Sequence, residues 1–308
     1  MLKKIKIGKN FGTFIADGRM PLEKIYKACL NLPKNNWDRR VVYTERIKLK
    51  NGQKVDAPIL SFFTKKKGQA FWIIAGIHGE EPAGPNALAK NIKIINDLAN
   101  KDIPAVFLPL CNPKGYWRDW RYLDSRRGKR GKGSSVGDSE HLLLSFNKKN
   151  RPCRKIPKSR QADALTKEVI NLSKTHPPLI TINFHEDELV KEEHYIYSQG
   201  KDGFTDPIVR EIVRMFQKNG FKFIKGGKKW FGENIKDGVI HGIHDGSIDE
   251  LLSAEKIFIN GKITKKPAAK TVIVVETPVK NTPIEKRVKT DELIIKSFEN
   301  LWRIRNKS

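Results

Sequence analysis

The chain has 308 residues, of which 60 are lysine or arginine and 34 are aspartate or glutamate, so its formal net charge is +26. This length can bury a substantial core, as one large domain or two small ones. No run approaches the roughly 18 consecutive apolar residues of a membrane span, and the basic start lacks the apolar segment of a signal peptide. The composition therefore argues against a membrane protein and against an exported one.

The three cysteines, Cys29, Cys111 and Cys153, are far apart and form no C-x-x-C spacing. A disulfide framework or a thiolate zinc site is therefore not expected, and the cytoplasm is the expected compartment. The high isoelectric point indicates an anionic partner, with nucleic acid as the first class to consider.

The positive charge is concentrated in one stretch, which carries a net +11 over the 47 residues from Lys114 to Arg160. Its centre, residues 125–135, contains glycines and no apolar periodicity, which predicts an exposed loop. Such a loop is either solvated without a dedicated partner, or it binds an anionic substrate or a polyanion. No linker is evident, so we expect one domain over residues 1–308, with a basic insertion at about residues 125–137.

Apolar, β-branched runs predict strands at residues 57–63, 70–77, 105–111, 179–184, 195–198 and 271–275. Helical patterns lie between and after them, at residues 82–100, 161–175, 207–219 and 290–305. This alternation predicts an α/β protein, a three-layer sandwich around a mixed, largely parallel sheet. In such sheets the functional site lies outside the carboxyl ends of the strands.

Three of these strand ends carry side chains that can bind a metal or transfer a proton. His78 and Glu81 follow the second predicted strand, His185 ends the fourth, and Glu276 ends the last. Two nitrogens and one oxygen would leave a tetrahedral zinc ion with an open position for water. A further carboxylate nearby could take the proton from that water.

Five short motifs follow one another in the chain: Gly76-Ile-His78-Gly-Glu-Glu81, Asn112-Pro113-Lys-Gly115-Tyr116, Arg121-Tyr122-Leu123-Asp124, Phe184-His185-Glu186 and Val275-Glu276-Thr-Pro278. In this order they resemble the zinc carboxypeptidase family, including its branch of succinylglutamate desuccinylases and aspartoacylases. The resemblance implies a zinc-carboxypeptidase-like fold and one zinc ion bound by His78, Glu81 and His185. It also implies that Glu276 is the general acid/base and that Arg121 polarises the scissile carbonyl.

The sequence departs from that family where most members carry an Asn-Arg pair that binds the carboxylate of the substrate. The basic loop interrupts this place, and Glu140 and His141 would then occupy the two positions. Either an arginine of the loop, such as Arg126, Arg127 or Arg130, binds the carboxylate, or the substrate is not a free C-terminal acid. The candidates for substrate contacts are Asn112, Arg126, Arg127, Glu140 and His141.

His241 and His244, followed by Asp245, offer an alternative metal pair in a glycine-rich turn. They lack a partner at a further strand end, so loop histidines facing solvent or the substrate cleft are equally open interpretations.

The resemblance implies a zinc metallopeptidase, a carboxypeptidase or a peptide amidase, that acts on a peptide, and the basic loop favours an anionic one. A deacylase of N-acyl amino acids is the alternative, which Arg121-Tyr122-Leu123-Asp124 favours. A third hypothesis is a non-catalytic protein that binds a polyanion through the basic loop and keeps a vestigial metal site.

Overall fold

A computed structural model of the chain describes residues 5, 7–9, 11–13, 15–124, 133–145, 147, 150–228, 233–242 and 244–307. Apolar runs form most of its strands, several of them buried on both faces, as expected for the centre of an α/β sheet. The strands are β1 (Trp37–Lys48), β2 (Lys54–Thr64), β3 (Ala70–Ala75), β4 (Ala105–Leu108), β5 (Pro178–Asp187), β6 (Glu193–Ser198), β7 (Lys222–Phe223), β8 (Gly226–Lys228), β9 (Asn234–Lys236), β10 (Val239–His241), β11 (Lys256–Ile259), β12 (Lys262–Lys265) and β13 (Thr271–Pro278).

Helices connect and flank these strands. They are α1 (Leu22–Leu30), α2 (Ala83–Lys90), α3 (Ile92–Asn100), α4 (Pro113–Arg118), α5 (Arg160–Ser173), α6 (Pro207–Lys218), α7 (Ile248–Ser253), α8 (Ile284–Lys296) and α9 (Phe298–Lys307). Within the described ranges, none of them is long and apolar enough to cross a membrane.

One mixed sheet contains all the strands except β11 and β12, in the order β1-β2-β4-β3-β5-β13-β6-β10-β9-β8, with β7 paired to β6. The central strands β4, β3, β5 and β13 run parallel to one another. The chain moves from β3 to β4 on one side and later enters β5 on the other side of β3, so the strand order reverses between β3 and β5. Such a reversal opens a crevice at the carboxyl ends of the strands.

Side chains of the central strands alternate between two cores, one on each face of the sheet. Phe71 and Ile73 of β3 pack with α1, α2, α3, α6, α8 and α9, whereas Trp72 and Ile74 pack with α5 and α7. The predicted three-layer α/β sandwich around a mixed, largely parallel sheet is thus confirmed.

Two predicted helices are each divided into two. The pattern over residues 82–100 breaks at Asn91 and the pattern at the C-terminal end breaks at Ser297, where α8 gives way to α9. At each break a short polar side chain binds a carbonyl of the preceding turn: Asn91 Nδ2 donates to the Ala87 carbonyl at 2.9 Å, and Ser297 Oγ donates to the Ile294 carbonyl at 2.7 Å. Such side chains compete with the helical hydrogen-bond pattern.

Candidate active site

His78 and Glu81 lie on the loop that joins β3 to α2. Gly79, between them, has no room for a side chain, because a Cβ there would lie 2.0 Å from the carbonyl carbon of Gly115. The Gly79 N–H donates to the carbonyl of Trp120 at 3.1 Å. The loop is therefore held against the segment that follows α4.

The side chains of His78, Glu81 and His185 converge on one point. The two histidine Nδ1 atoms lie 3.2 Å apart, and each lies 2.8 Å from an oxygen of Glu81. All three donor atoms fall within 4.8 Å of one another, and no other such group of three occurs in the described part of the chain. His185 belongs to β5, whereas His78 and Glu81 follow β3, so the neighbouring parallel strands bring them together.

The donor set fits a zinc ion. Two imidazole nitrogens and a carboxylate oxygen are common zinc ligands, and three protein ligands leave a position for water. Two ligands at 2.0–2.1 Å from a tetrahedral ion are separated by about 3.3–3.4 Å, close to the observed separation of the Nδ1 atoms.

The pKa values of the two histidines are shifted in opposite directions. Burial disfavours the charge on both rings, and nearby Arg121 also lowers the pKa of His78, to about 4. The same desolvation acts on His185, but the Glu81 carboxylate outweighs it and raises the pKa of His185 to about 9. Burial likewise opposes the charge of Glu81, but the two imidazoles hold the pKa of its carboxyl well below the usual range. Glu81 is therefore ionised, as a metal ligand must be.

Arg121 follows α4 and lies beside this group. Its Nη1 donates to Oε1 of Glu80 at 3.0 Å and to Oε1 of Glu81 at 2.8 Å. Its guanidinium carbon lies 5.7 Å from the centre of the Tyr122 ring. The two carboxylates outweigh the burial of Arg121 and raise its pKa, so the guanidinium stays charged.

Glu276 lies on β13, whose register places it beside His185 of β5 and opposite Tyr195 of β6. The hydroxyl of Tyr195 donates to Oδ2 of Asp187 at 2.7 Å. Burial, reinforced by the Glu276 carboxylate, raises the pKa of Tyr195 and of Tyr197. Both phenols are therefore protonated at neutral pH.

The two histidines of the group, His78 and His185, and Glu276 face a cavity of about 370 Å³. One end is formed by strand ends and the opposite wall by α7 and by the segment that leads to α5. The described lining residues are Ile77, His78, Arg121, Tyr122, Gly133, Ser135, Gly137, Asp138, Lys158, His185, Tyr197, Gln199, Glu233, Asp245, Ser247, Ile248, Asp249, Val274 and Glu276.

Three of the predicted substrate-contact residues make other contacts instead of lining this cavity. Asn112 is fully buried, and its Oδ1 accepts from the Gly115 N–H at 2.9 Å, which caps α4. Glu140 pairs with Lys158 at 3.1 Å, and the ring of His141 lies near Thr166 at 3.4 Å. None of these three is among the described residues that line the cavity.

Arg126 and Arg127 lie outside the described residues, as do the other basic residues of positions 125–132. The two ends of this segment are close together, since the Leu123 N–H donates to the Ser134 carbonyl at 3.1 Å. Tyr122 before it and Gly133 after it both line the cavity. The described residues on either side of the basic segment therefore lie at the cavity.

The alternative histidine pair is not assembled as a metal site. Nδ1 of His241 lies 2.8 Å from the Ser198 carbonyl, and Nδ1 of His244 lies 3.1 Å from Glu250. Asp245 contributes to the cavity wall.

Several lining residues escaped prediction, notably Lys158, Tyr197 and Asp249. Asp249 is held by α7, and burial raises the pKa of its carboxyl to about 6. A sequence signal for α7 exists: Ser247 and Glu250 have the spacing of a capping box, and the Glu250 N–H donates to Ser247 Oγ at 3.3 Å. The sequence contains no comparable signal for the position of Lys158, which depends on irregular backbone.

No protein-family model matches the sequence, and no curated protein sequence matches it either. Solved structures do match in fold. A protein of Shewanella baltica that has been ascribed to the metallopeptidases superposes with a TM-score of 0.66 at 18% identity, over 92% of this chain and 90% of that one.

Two further solved structures, whose descriptions mention a carboxypeptidase, match at lower similarity. A metallo-carboxypeptidase from Burkholderia cenocepacia gives a TM-score of 0.56 at 12% identity, over 91% of this chain and 67% of that one. Bovine thrombin-activatable fibrinolysis inhibitor gives a TM-score of 0.56 at 14% identity, over 94% of this chain and 98% of that one. The chain thus has the fold of the metallopeptidases and metallo-carboxypeptidases, as the sequence motifs predicted.

Proposed function

We propose that this protein is a zinc-dependent hydrolase that cleaves an amide bond, as a carboxypeptidase or a peptide amidase. One observation carries the proposal: His78, Glu81 and His185 place three donor atoms within 4.8 Å of one another, and the two histidines line the same cavity as Glu276 and Arg121. A metal-ligand set, a separate carboxylate and a fixed cation are the parts that metal-assisted hydrolysis needs.

Zinc held by His78, Glu81 and His185 would supply Lewis acidity, which activates a water molecule and polarises the scissile carbonyl. Glu276, which is not one of the three donors, takes the proton from the attacking water and delivers it to the leaving nitrogen. Arg121 stays charged and stabilises the negative charge that develops on the carbonyl oxygen.

The test combines elemental analysis with a substrate panel. The purified protein should contain about one zinc per chain. It should hydrolyse at least one peptide or peptide amide, lose that activity on chelation, and regain it when zinc is added. Hydrolysis of N-acyl amino acids alone would establish the deacylase, which the cavity position of Tyr122 in the Arg121-Tyr122-Leu123-Asp124 motif favours.

The panel also separates an enzyme from a polyanion-binding protein. If no substrate is cleaved by the zinc-loaded protein, and nucleic acid binds with a steep salt dependence that survives chelation, the hydrolase is refuted. Absence of binding at physiological salt would instead remove the binding protein from consideration.

We also propose that the substrate carries negative charge. The basic segment of residues 125–132 holds five lysines and arginines and no acidic residue, and the described residues Tyr122 and Gly133 on either side of it line the cavity. A positive field at the mouth concentrates anionic substrates. Replacing Arg126, Arg127, Lys129 and Arg130 together by glutamine should raise KM for acidic peptides and leave KM for neutral peptides unchanged.

The cytoplasm is the proposed compartment. Cys29, Cys111 and Cys153 are all free thiols, two of them buried, as expected of a protein kept reduced. Fractionation of the source cells would test this location.

A further inference from the structure

The loop residue Glu80 contacts the arginine of the cavity but not the cavity itself. Its Oε1 accepts a hydrogen bond from Arg121 Nη1 at 3.0 Å, and only 8% of the residue is exposed. Glu80 is not among the described residues that line the cavity. A substrate in the cavity would therefore meet Arg121, while Glu80 lies behind it.

Arg121 has two carboxylate partners of different kinds. Glu81 also accepts from its Nη1, at 2.8 Å, but Glu81 is one of the three converging metal-donor residues. A carboxylate that binds a metal has less negative charge left for a guanidinium. Glu80 is outside that donor group, and its Oε2 is buried without a hydrogen-bond partner in the described part of the chain. It is thus the carboxylate available to hold Arg121 whatever Glu81 binds.

The backbone under this pair is constrained on both sides. The Gly79 N–H donates to the Trp120 carbonyl, which joins the residue before Glu80 to the residue before Arg121. Arg19, 4% exposed, donates from Nη1 to the Gly79 carbonyl at 3.2 Å. Both side chains of the pair therefore start from backbone segments that are fixed to each other.

From these contacts we propose that Glu80 is a positioning residue that orients the Arg121 guanidinium toward the carbonyl oxygen of the substrate. This role rests on the proposed amide hydrolysis. A guanidinium that is oriented before the substrate arrives stabilises developing charge without reorganisation, so the benefit falls on kcat rather than on KM.

The experiment compares Glu80→Ala, Arg121→Ala and the double variant with Glu168→Ala as a matched control. Glu168 is also a largely buried carboxylate near an arginine, with its Oε1 3.6 Å from Arg40 Nη1, but it is not among the described residues lining the cavity. Glu80→Ala should lower kcat about 10- to 100-fold, the range typical of residues that orient a functional group, with KM and zinc content unchanged. Glu168→Ala should retain full kcat.

The double variant distinguishes positioning from a separate contribution. If Glu80 acts through Arg121, the double variant should be no slower than Arg121→Ala alone. The proposal would be overturned if the decrease in kcat of the double variant equalled the product of the two single decreases. An unchanged kcat in Glu80→Ala, or a loss of zinc from that variant, would also overturn it. Glu80→Met, which fills similar space but has no acceptor oxygen for Arg121, provides the same comparison if the alanine variant fails to fold.

A readout independent of turnover is the position of the guanidinium in crystal structures of the zinc-loaded wild type and of the Glu80 variant. The proposal requires that it leave its wild-type position when Glu80 is replaced; an unmoved guanidinium overturns the proposal. Should the wild type cleave no amide, the proposed function fails, while these two structures still decide whether Glu80 positions Arg121.

Discussion

The two sides of the cavity are built in different ways. The metal side carries His185 and Glu276 on adjacent parallel strands, at paired positions of the register, and His78 directly after a third strand. The wall side carries Lys158 before α5 and Asp249 on the short helix α7, joined to the sheet by side-chain contacts. Ladder hydrogen bonds between neighbouring strands therefore align the metal side, whereas packing and isolated hydrogen bonds, such as that from the Ala269 N–H to the Leu252 carbonyl at 2.9 Å, place the wall.

This difference indicates that the two sides of the cavity have different roles. Strand register holds atoms to fractions of an ångström, which chemistry on a reacting bond requires. A wall of irregular backbone tolerates changes in length and charge, so it suits the recognition of a particular substrate. Substitutions on the metal side should thus reduce kcat or metal binding, and substitutions on the wall should change KM.

The largest effect is expected for Glu276→Gln. Glutamine keeps the shape of the side chain but cannot accept the proton of the attacking water. We expect kcat to fall roughly 100- to 10,000-fold, the usual contribution of general acid–base catalysis. Zinc content and the thermal midpoint should match the wild type, and Glu193→Gln, at an exposed carboxylate at the start of β6, serves as the control. Full activity of the Glu276 variant would refute its role.

The next effect concerns the metal itself. Glu81→Gln removes the charge between the two imidazoles while leaving the side-chain size unchanged. We expect zinc affinity to fall by more than the roughly 10- to 100-fold seen when residues behind the ligands are replaced. Competition with a chromophoric chelator measures this change. Undiminished affinity would show that the three donors do not bind zinc together.

A smaller effect is expected on the wall. Lys158 lies 3.2 Å from Asp138 and 3.1 Å from Glu140, and its side chain is 27% exposed. Such a partly solvated charge contributes about 1 kcal/mol or less, so Lys158→Ala should change KM for acidic substrates by less than about tenfold. The kcat should stay at the wild-type value. A large loss of kcat would show that Lys158 takes part in catalysis, which would contradict the difference in role between the two sides.

The smallest functional effect is expected at His194, which is not among the described residues that line the cavity. Its ring packs against Phe216 and Phe221 at 5.3 and 5.2 Å, and burial lowers its pKa to about 4, from 6.5. As the pH is lowered from 6.5 to 4, the unfolded chain therefore takes up a proton that the folded chain does not. The free energy of unfolding decreases over this interval. The slope from this one group is at most roughly 1.4 kcal/mol per pH unit.

Replacing His194 by phenylalanine should remove this contribution. Denaturant titrations of both proteins at pH 7 and pH 5 measure it: the wild type should lose more of its free energy of unfolding than His194→Phe over this interval. Activity at pH 7 should be unaffected, because His194 is not among the described residues that line the cavity. Equal losses would show that the ring is protonated in the folded state.

Much of the fold and the metal side could be predicted from sequence. Runs such as residues 179–184 and 271–275 are apolar or β-branched at nearly every position, which is a local signal for buried parallel strands. The donor residues follow or end those runs, and strands of one parallel sheet bring such ends to a common edge. Strand β1 and the short strands β7 to β10 escaped prediction, because their apolar content is low or their length is two or three residues.

By itself, the sequence determined which runs become central strands and which reactive side chains lie near their carboxyl ends, because strand patterns and motif spacings are local properties. Only the tertiary structure decided that Lys158, Tyr197 and Asp249 face the same cavity and that Glu80 holds Arg121. These residues come from segments separated by 39 or more positions in the chain. Their geometry follows from packing of the whole chain, which no short window of sequence contains.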